Sequence, residues 1–138
     1  MPDGTINTGI GASVKRVEDQ RFLTGKGNYT DDINRPDQTY AYMLRSPHAH
    51  AKITSIDSSN AQSSDGVVAI FTGEDMQVGG LPCGWQIHSE DGSPMHEPSH
   101  PALAQGKVRH VGDQVAVVIA DTLANAKSAA AKINVEYE

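Results

Sequence analysis

Two histidines spaced two residues apart are the first candidates for chemistry in this 138-residue chain. His48 and His50 lie in the segment RSPHAHAKI, residues 45–53, which joins two apolar stretches. If the segment is extended, both imidazoles point to one face, where they could bind a metal ion. Arg45, beside them, could hold a carbonyl or a carboxylate in its planar fork. Because no third ligand lies at local spacing, we predict no metal here and favour a structural or subunit-interface role for Arg45, His48 and His50.

A second group of histidines lies in residues 73–105, a segment rich in glycine and proline. His96 and His100 have the spacing that would bring two imidazoles onto one metal ion if they were on a helix. The prolines at 94, 98 and 101 deny that helix, so we interpret residues 73–105 as a long loop of sparse regular structure. Trp85 and Ile87 are expected to pin part of this loop to the core.

A metal-binding module built on the loop between His88 and His100 stays an alternative function.

Cys83 is the only cysteine, so an internal disulfide and a cysteine-rich metal or iron–sulfur site are excluded. We expect Cys83 to be a small, half-buried apolar residue. Asp31 and Asp32 are adjacent and point apart in an extended segment, so they fit turn capping better than acid–base work. No catalytic, cofactor-binding or metal-binding residue is assigned.

The composition limits the class of protein. The length fits one domain, because compact domains usually have about 100–200 residues. The net charge of −6 and the absence of a basic stripe argue against nucleic-acid binding and against a basic membrane-surface helix. The N-terminus lacks the pattern of a signal peptide, and no apolar run approaches the ~20 residues that cross a bilayer. These features predict a cytoplasmic protein without an integral membrane segment.

The elements that must position these residues follow from the hydrophobic pattern and the turn residues. Residues 1–13 are expected to be a flexible leader and residues 14–138 one folded domain, in which Val17, Phe22 and Leu23 pack inward. Strands are predicted at residues 40–44, 51–56, 67–71, 107–111, 114–120 and 133–137, with a short helix at 58–63, a long alanine-rich helix at 122–133 and a turn at Gly112 and Asp113. Short, segregated elements favour an α+β fold with a mixed sheet of short strands.

Four stretches, in this order, resemble one protein family. They are VKRVEDQRFLTG at residues 14–25, YTDDI at 29–33, RSPHAHAKI at 45–53 and GKVRHVGDQVA at 106–116. The chain resembles the N-terminal α/β-hammerhead domain of the molybdenum-binding large subunit of the xanthine dehydrogenase and aldehyde oxidase family. Within that family it is most similar to the large subunit of aerobic carbon monoxide dehydrogenase.

The resemblance implies a parent enzyme that oxidises a small substrate at molybdenum with water-derived oxygen. The implied cofactors are molybdopterin cytosine dinucleotide with molybdenum, copper in carbon monoxide dehydrogenases, and 2Fe-2S clusters and FAD on partner subunits. None is expected on this chain, because the family's catalytic residues lie in later domains. The implied role is structural, with the downstream molybdopterin-binding domains, an iron–sulfur small subunit and an FAD medium subunit as partners. We expect an excised domain that self-associates; a free-standing interaction module or a split small subunit stays an alternative.

Overall fold

The computed structural model describes residues 9–10, 15–76 and 79–138. The chain forms two compact units, of which the first ends at Pro36 and the second runs from Asp37 to Glu138. Apart from residues 9–10, the predicted leader at 1–13 lies outside the described residues, so its flexibility stays a prediction.

In the first unit the described residues form one short α-helix, α1 (Asp19–Leu23), and one 3₁₀ turn at Thr30–Asp32. The ring of Phe22 stacks on the ring of Tyr29, with a centroid separation of 5.6 Å. Val17 and Leu23 are almost wholly exposed, so the prediction that they pack inward is wrong. A helix of five residues has too short a face to build a core, and α1 contains no buried residue.

The described residues of the second unit, 37–76 and 79–138, form six strands and two further helices. The strands are β1 (Tyr40–Arg45), β2 (Ala51–Asp57), β3 (Val67–Thr72), β4 (Lys107–Val108), β5 (Gln114–Ala120) and β6 (Asn134–Tyr137), and the helices are α2 (Ser59–Gln62) and α3 (Leu123–Ala130). The predicted elements are confirmed, with shifts of a few residues at their ends. Within the described part of the chain, residues 73–105 contain no named helix or strand, only an isolated bridge between His88 and Pro94.

The strands form two sheets of three strands each, in the orders β1-β5-β3 and β4-β2-β6. Every pairing is antiparallel, so the α+β class is confirmed but the mixed sheet is wrong. The hydrophobic pattern predicts which residues form strands but carries no information on strand direction. The connections between paired strands are long enough for either direction, and each pair runs in opposite directions.

The core lies between α3 and one face of the β1-β5-β3 sheet. Ala126, Ala129 and Ala130 of α3 pack against the small side chains of Ala116 and Ala120 on β5. Alanine favours helix and lets the helix backbone approach the sheet closely. Tyr42, Leu44, Ile70 and Val118, among others, complete this cluster from the same face of the sheet.

Two contacts fix the ends of the β5–α3 connection, one within the helix start and one to the residue before β3. The Thr122 hydroxyl accepts a hydrogen bond from the Asn125 amide at 3.1 Å, as an N-cap residue does. Gly66 adopts a left-handed conformation, and its carbonyl accepts the Asp121 amide at 2.9 Å. A Cβ at Gly66 would lie 2.2 Å from the Asp121 carboxylate, so only glycine fits. No helix among the described residues is long and apolar enough to span a membrane.

We predict that Val118→Ala destabilises the protein by about 2–3 kcal/mol, because Val118 is fully buried and two methyl groups would leave a cavity. The matched control is Val68→Ala, since Val68 lies on β3 with 64% of its surface exposed. It should change the free energy of unfolding by less than about 0.5 kcal/mol. Urea denaturation measures both, and equal effects would contradict the described core.

Candidate functional site

The segment at residues 45–53 connects the two sheets. Arg45 ends β1 in the first sheet, and Ala51 begins β2 in the second. The register of β1 on β5 shifts between Leu44 and Arg45, where a bulge turns the strand out of the sheet. The chain then bends at residues 49 and 50. The extended geometry that would place both imidazoles on one face is therefore absent.

Ser46, which sequence reasoning missed, holds this junction in place. It is 2% exposed, its amide donates to the Asp113 carbonyl at 2.9 Å, and its carbonyl accepts the Gly112 amide at 2.8 Å. Its hydroxyl accepts the His48 amide at 3.0 Å. Arg45 adds a bond from Nη1 to the Gly112 carbonyl at 2.9 Å. The Ser-Pro step is the only signal that could have pointed to Ser46.

The opposite side of the junction is the turn between β4 and β5. Gly112 has a positive φ of 88°, and the mostly buried Asp113 carboxylate accepts the Arg109 amide at 2.9 Å. The same carboxylate lies 3.7 Å from Nδ1 of His110. The predicted turn at Gly112 and Asp113 is confirmed. The sequence did not reveal that Asp113 contacts both this turn and the junction. Its carboxylate accepts the Arg109 amide, and its carbonyl accepts the Ser46 amide.

The two candidate histidines have different surroundings. The His48 ring packs edge-on against Tyr137 of β6, with ring centroids 4.7 Å apart and planes inclined at 60°. His50 is exposed. His48 thus ties the junction to the β4-β2-β6 sheet, whereas Arg45 ties it to the β4–β5 turn. This arrangement braces the two sheets and offers no nucleophile–base pair.

The histidines of the long loop are also dispersed. The ring of His100 lies 6.2 Å from that of His110, and the exposed Cys83 lies elsewhere in the loop. Cys83 is therefore not half-buried, and Trp85 is 81% exposed, so neither Trp85 nor Ile87 pins the loop to a core. Across residues 9–10, 15–76 and 79–138, no three His, Cys, Asp or Glu side chains converge on a position that could hold a metal ion. The described residues do not fit molybdenum or another metal, and we assign them no metal chemistry.

Glu97 organises part of this loop. Its carboxylate accepts the Cys83 amide at 2.6 Å and the Gln86 side-chain amide at 2.8 Å. The Cys83 bond first, and then the Gln86 bond, hold the pKa of Glu97 below its ordinary value of 4.5. Both bonds favour the ionised form, so their contribution is present above the ordinary pKa and is lost as the pH falls through the lowered one.

An open groove of about 790 Å³ runs along β2. Ile53 to Ile56 form one wall, and residues 72–74 and 104–106 form the others. Of the lining residues that the structure describes, Glu74 is the one ionisable side chain. Among its described lining residues the groove therefore has one exposed carboxylate and no pair of ionisable side chains.

We predict that His48→Ala lowers the free energy of unfolding by about 0.5–1.5 kcal/mol, through loss of the edge-on contact with Tyr137. His50→Ala, the control two residues away, should have an effect below about 0.5 kcal/mol, because His50 is also exposed but lacks the contact with Tyr137. Urea melts of both variants test the asymmetry. Equal losses would show that the two histidines act together.

Comparison with known proteins agrees with this geometry. The family described as "Aldehyde oxidase and xanthine dehydrogenase, a/b hammerhead domain" matches residues 24–138. The chain is 38% identical over 131 residues to the nicotine 6-hydroxylase large subunit of Paenarthrobacter nicotinovorans, covering 94% of this chain and 15% of that protein. It is 36% identical over 130 residues to the carbon monoxide dehydrogenase large chain of Afipia carboxidovorans, with coverage of 94% and 15%.

Among solved structures, quinoline 2-oxidoreductase from Pseudomonas putida 86 superposes with a TM-score of 0.78 at 39% identity. That superposition covers 93% of this chain and 16% of the other. The chain therefore spans roughly one-sixth or less of the length of the relatives named here. The resemblance carried by residues 14–25, 29–33, 45–53 and 106–116 is confirmed. The chain belongs to the aldehyde oxidase and xanthine dehydrogenase family, and the part of that family it represents is the a/b hammerhead domain.

Proposed function

We propose that this chain is a non-catalytic structural and assembly domain of the large subunit of a molybdenum-dependent hydroxylase or dehydrogenase of the carbon monoxide dehydrogenase type. The single observation that carries the proposal is a second apolar face on the β1-β5-β3 sheet. A face of this kind stabilises a protein only when another layer covers it.

The register of the strands defines that face. Side chains alternate along a strand, and the residues that pack on α3 include Tyr42, Ile70, Ala116 and Val118. Their neighbours in sequence therefore point to the other side. These neighbours are Ala41 and Met43 on β1, Ala69 and Phe71 on β3, and Val117 and Ile119 on β5.

All six side chains of this second face are apolar, and they pair across the sheet in two rows. Ile119 lies between Ala41 and Ala69, and Val117 lies between Met43 and Phe71. Ala41 and Phe71, on the two outer strands, are exposed, whereas Met43, Ala69 and Ile119 are half-buried and Val117 is buried. Exposed apolar residues at both edges of an apolar face support an interaction surface there.

The junction between the sheets fits the same role. Arg45 and His48 bond to the β4–β5 turn and contact β6 from the surface, and His50 lies exposed beside them. We propose that Arg45, His48 and His50 serve structure and the subunit interface rather than metal binding. Neither the free-standing module nor the loop between His88 and His100 as a metal site has an observation in its favour.

The relatives define the parent enzyme that we propose. They are named as a nicotine 6-hydroxylase large subunit, a carbon monoxide dehydrogenase large chain and a quinoline 2-oxidoreductase. In the proposed parent, molybdopterin cytosine dinucleotide with molybdenum lies in the remaining part of the large subunit. The iron–sulfur clusters and FAD lie on small and medium subunits that receive the electrons. The cytoplasmic location expected from the composition stays a prediction.

We predict that the purified chain shows no turnover with carbon monoxide, aldehydes or purines when a dye serves as the electron acceptor. It should also contain neither molybdenum nor zinc in stoichiometric amount by elemental analysis. The physical reason is the dispersal of its possible ligands. The assembled parent enzyme is the positive control. Turnover that co-elutes with the isolated chain would contradict the proposal.

We predict that the isolated chain self-associates at high concentration through the second apolar face. Phe71→Thr should weaken this association about tenfold, because a half-exposed aromatic anchor is lost from the contact. Val68→Thr is the control on the same strand, outside the face. Static light scattering measures both. A strictly monomeric chain, or equal effects of the two substitutions, would argue against this face.

A further inference from the structure

Residues 81–100 form an arm of two antiparallel segments within the long loop. Three backbone hydrogen bonds join the segments. They run from Leu81 N to His100 O at 2.7 Å, from Met95 N to Ile87 O at 2.9 Å and from Ser89 N to Ser93 O at 2.9 Å. Gly92, with a φ of +81°, closes the tip. The Glu97 carboxylate adds the bonds to Cys83 and Gln86, so the arm has a defined shape of its own.

The arm has no core. Every residue from 79 to 100 is exposed. The exposed residues include Trp85 at 81%, Ile87 at 64% and Leu81 at 60%. Ordering a segment costs conformational entropy at every residue, and burial of apolar surface normally offsets that cost. Here the large apolar side chains of the ordered segment remain in solvent, so the offset must come from a surface that covers them.

The arm carries carboxylates and no lysine or arginine. Its carboxylates are Glu90, Asp91 and Glu97, and the wider segment at residues 53–106 also lacks lysine and arginine. Arg109 lies beside His100 at the base of the arm. A surface that covers the rest of the arm is therefore expected to be apolar at its centre and basic at its rim, because complementary potentials meet at specific interfaces. Contact between the arms of two copies would bring like charges together, so the arm of a second copy is disfavoured as its occupant; self-association through the second apolar face does not involve the arm.

We propose that residues 81–100 are a docking arm, and that Trp85 is its anchor in an apolar pocket with a basic rim on the remaining part of the large subunit. This inference rests on the proposed function. Two observations support this occupant. The chain spans about 15% of the relatives named as large subunits, and the arm of a second copy would carry the same carboxylates. Tryptophan is enriched among the few residues that dominate binding energy, because it buries a large rigid surface.

The first test uses Cys83, the single cysteine of the chain, which is exposed in the arm two residues from Trp85. The rate of its alkylation by N-ethylmaleimide, followed by peptide mass spectrometry at fixed pH, is compared between the isolated chain and the assembled parent enzyme. Docking of the arm should slow alkylation at least tenfold. An equal rate in both states would overturn the proposal.

The second test places Trp85→Ala in the full-length large subunit and measures the yield of assembled complex by size-exclusion chromatography. We expect at least a tenfold loss, and a larger loss at high salt, because basic contacts at the rim are then screened. The control is Val68→Ala, an exposed apolar residue outside the arm, which should assemble as the unaltered subunit does. Normal assembly of Trp85→Ala would overturn the proposal.

Different results contradict the proposed function and the docking arm. If Cys83 stays reactive and Trp85→Ala assembles normally, the arm does not dock. The proposed assembly function then still holds if assembly requires the other residues of the domain. If the full-length subunit assembles with all of residues 37–138 deleted, the proposed function and the arm both fail. The alkylation of Cys83 is also measured in mixtures that lack only the medium or only the small subunit. If Cys83 loses its protection when one of them is omitted, the pocket lies on that subunit and the stated occupant is wrong.

Discussion

The burial of β5 on both of its faces is the constraint on which the rest of the second unit depends. Val115, Ala116, Val117, Val118 and Ala120 are all buried, and β1 and β3 pair with both edges of the strand. A strand of this kind cannot leave either face in water without losing the stabilisation that apolar burial gives. This requirement explains why β1 and β3 pair with β5, why α3 packs on one face and why the other face must also be covered.

One face of β5 is covered within the chain. The alanines of α3 permit close packing, Thr122 fixes where the helix begins, and Gly66 admits the turn of the chain that lies against Asp121. The second sheet is joined to the first through the backbone hydrogen bonds between Ser46 and the β4–β5 turn. On the other face of β5, Val115 packs in a second cluster with Ala51, Ala104 and Val108. The apolar side chains in solvent lie on the outer strands, at Ala41 and Phe71, and in the arm at residues 81–100. We propose that a larger protein covers both.

Much of this fold could be predicted from the sequence because its signals are local. The run of β-branched residues in β5, the alanine spacing of α3 and the turn at Gly112 and Asp113 each act within a few residues. The pairing of β1 and β3 with β5 could not be predicted, since it joins residues far apart in the chain. The role of Ser46 was hidden for the same reason, because its partners Gly112 and Asp113 lie more than sixty positions away. Trp85 was expected to pin the loop to the core because large aromatic residues usually are buried, yet it is 81% exposed, which motivates the proposal that another surface covers it.

The central claim is that this domain contributes contacts and not chemistry to its parent enzyme. Hydrogen–deuterium exchange of residues 41–43 and 69–71 tests it most directly, in the isolated chain and in the assembled enzyme. These residues carry the exposed half of the second apolar face on the two outer strands. The account predicts much slower exchange in the assembled enzyme, where another layer covers the face. Identical exchange in the two states would contradict it, because the face would then have no partner.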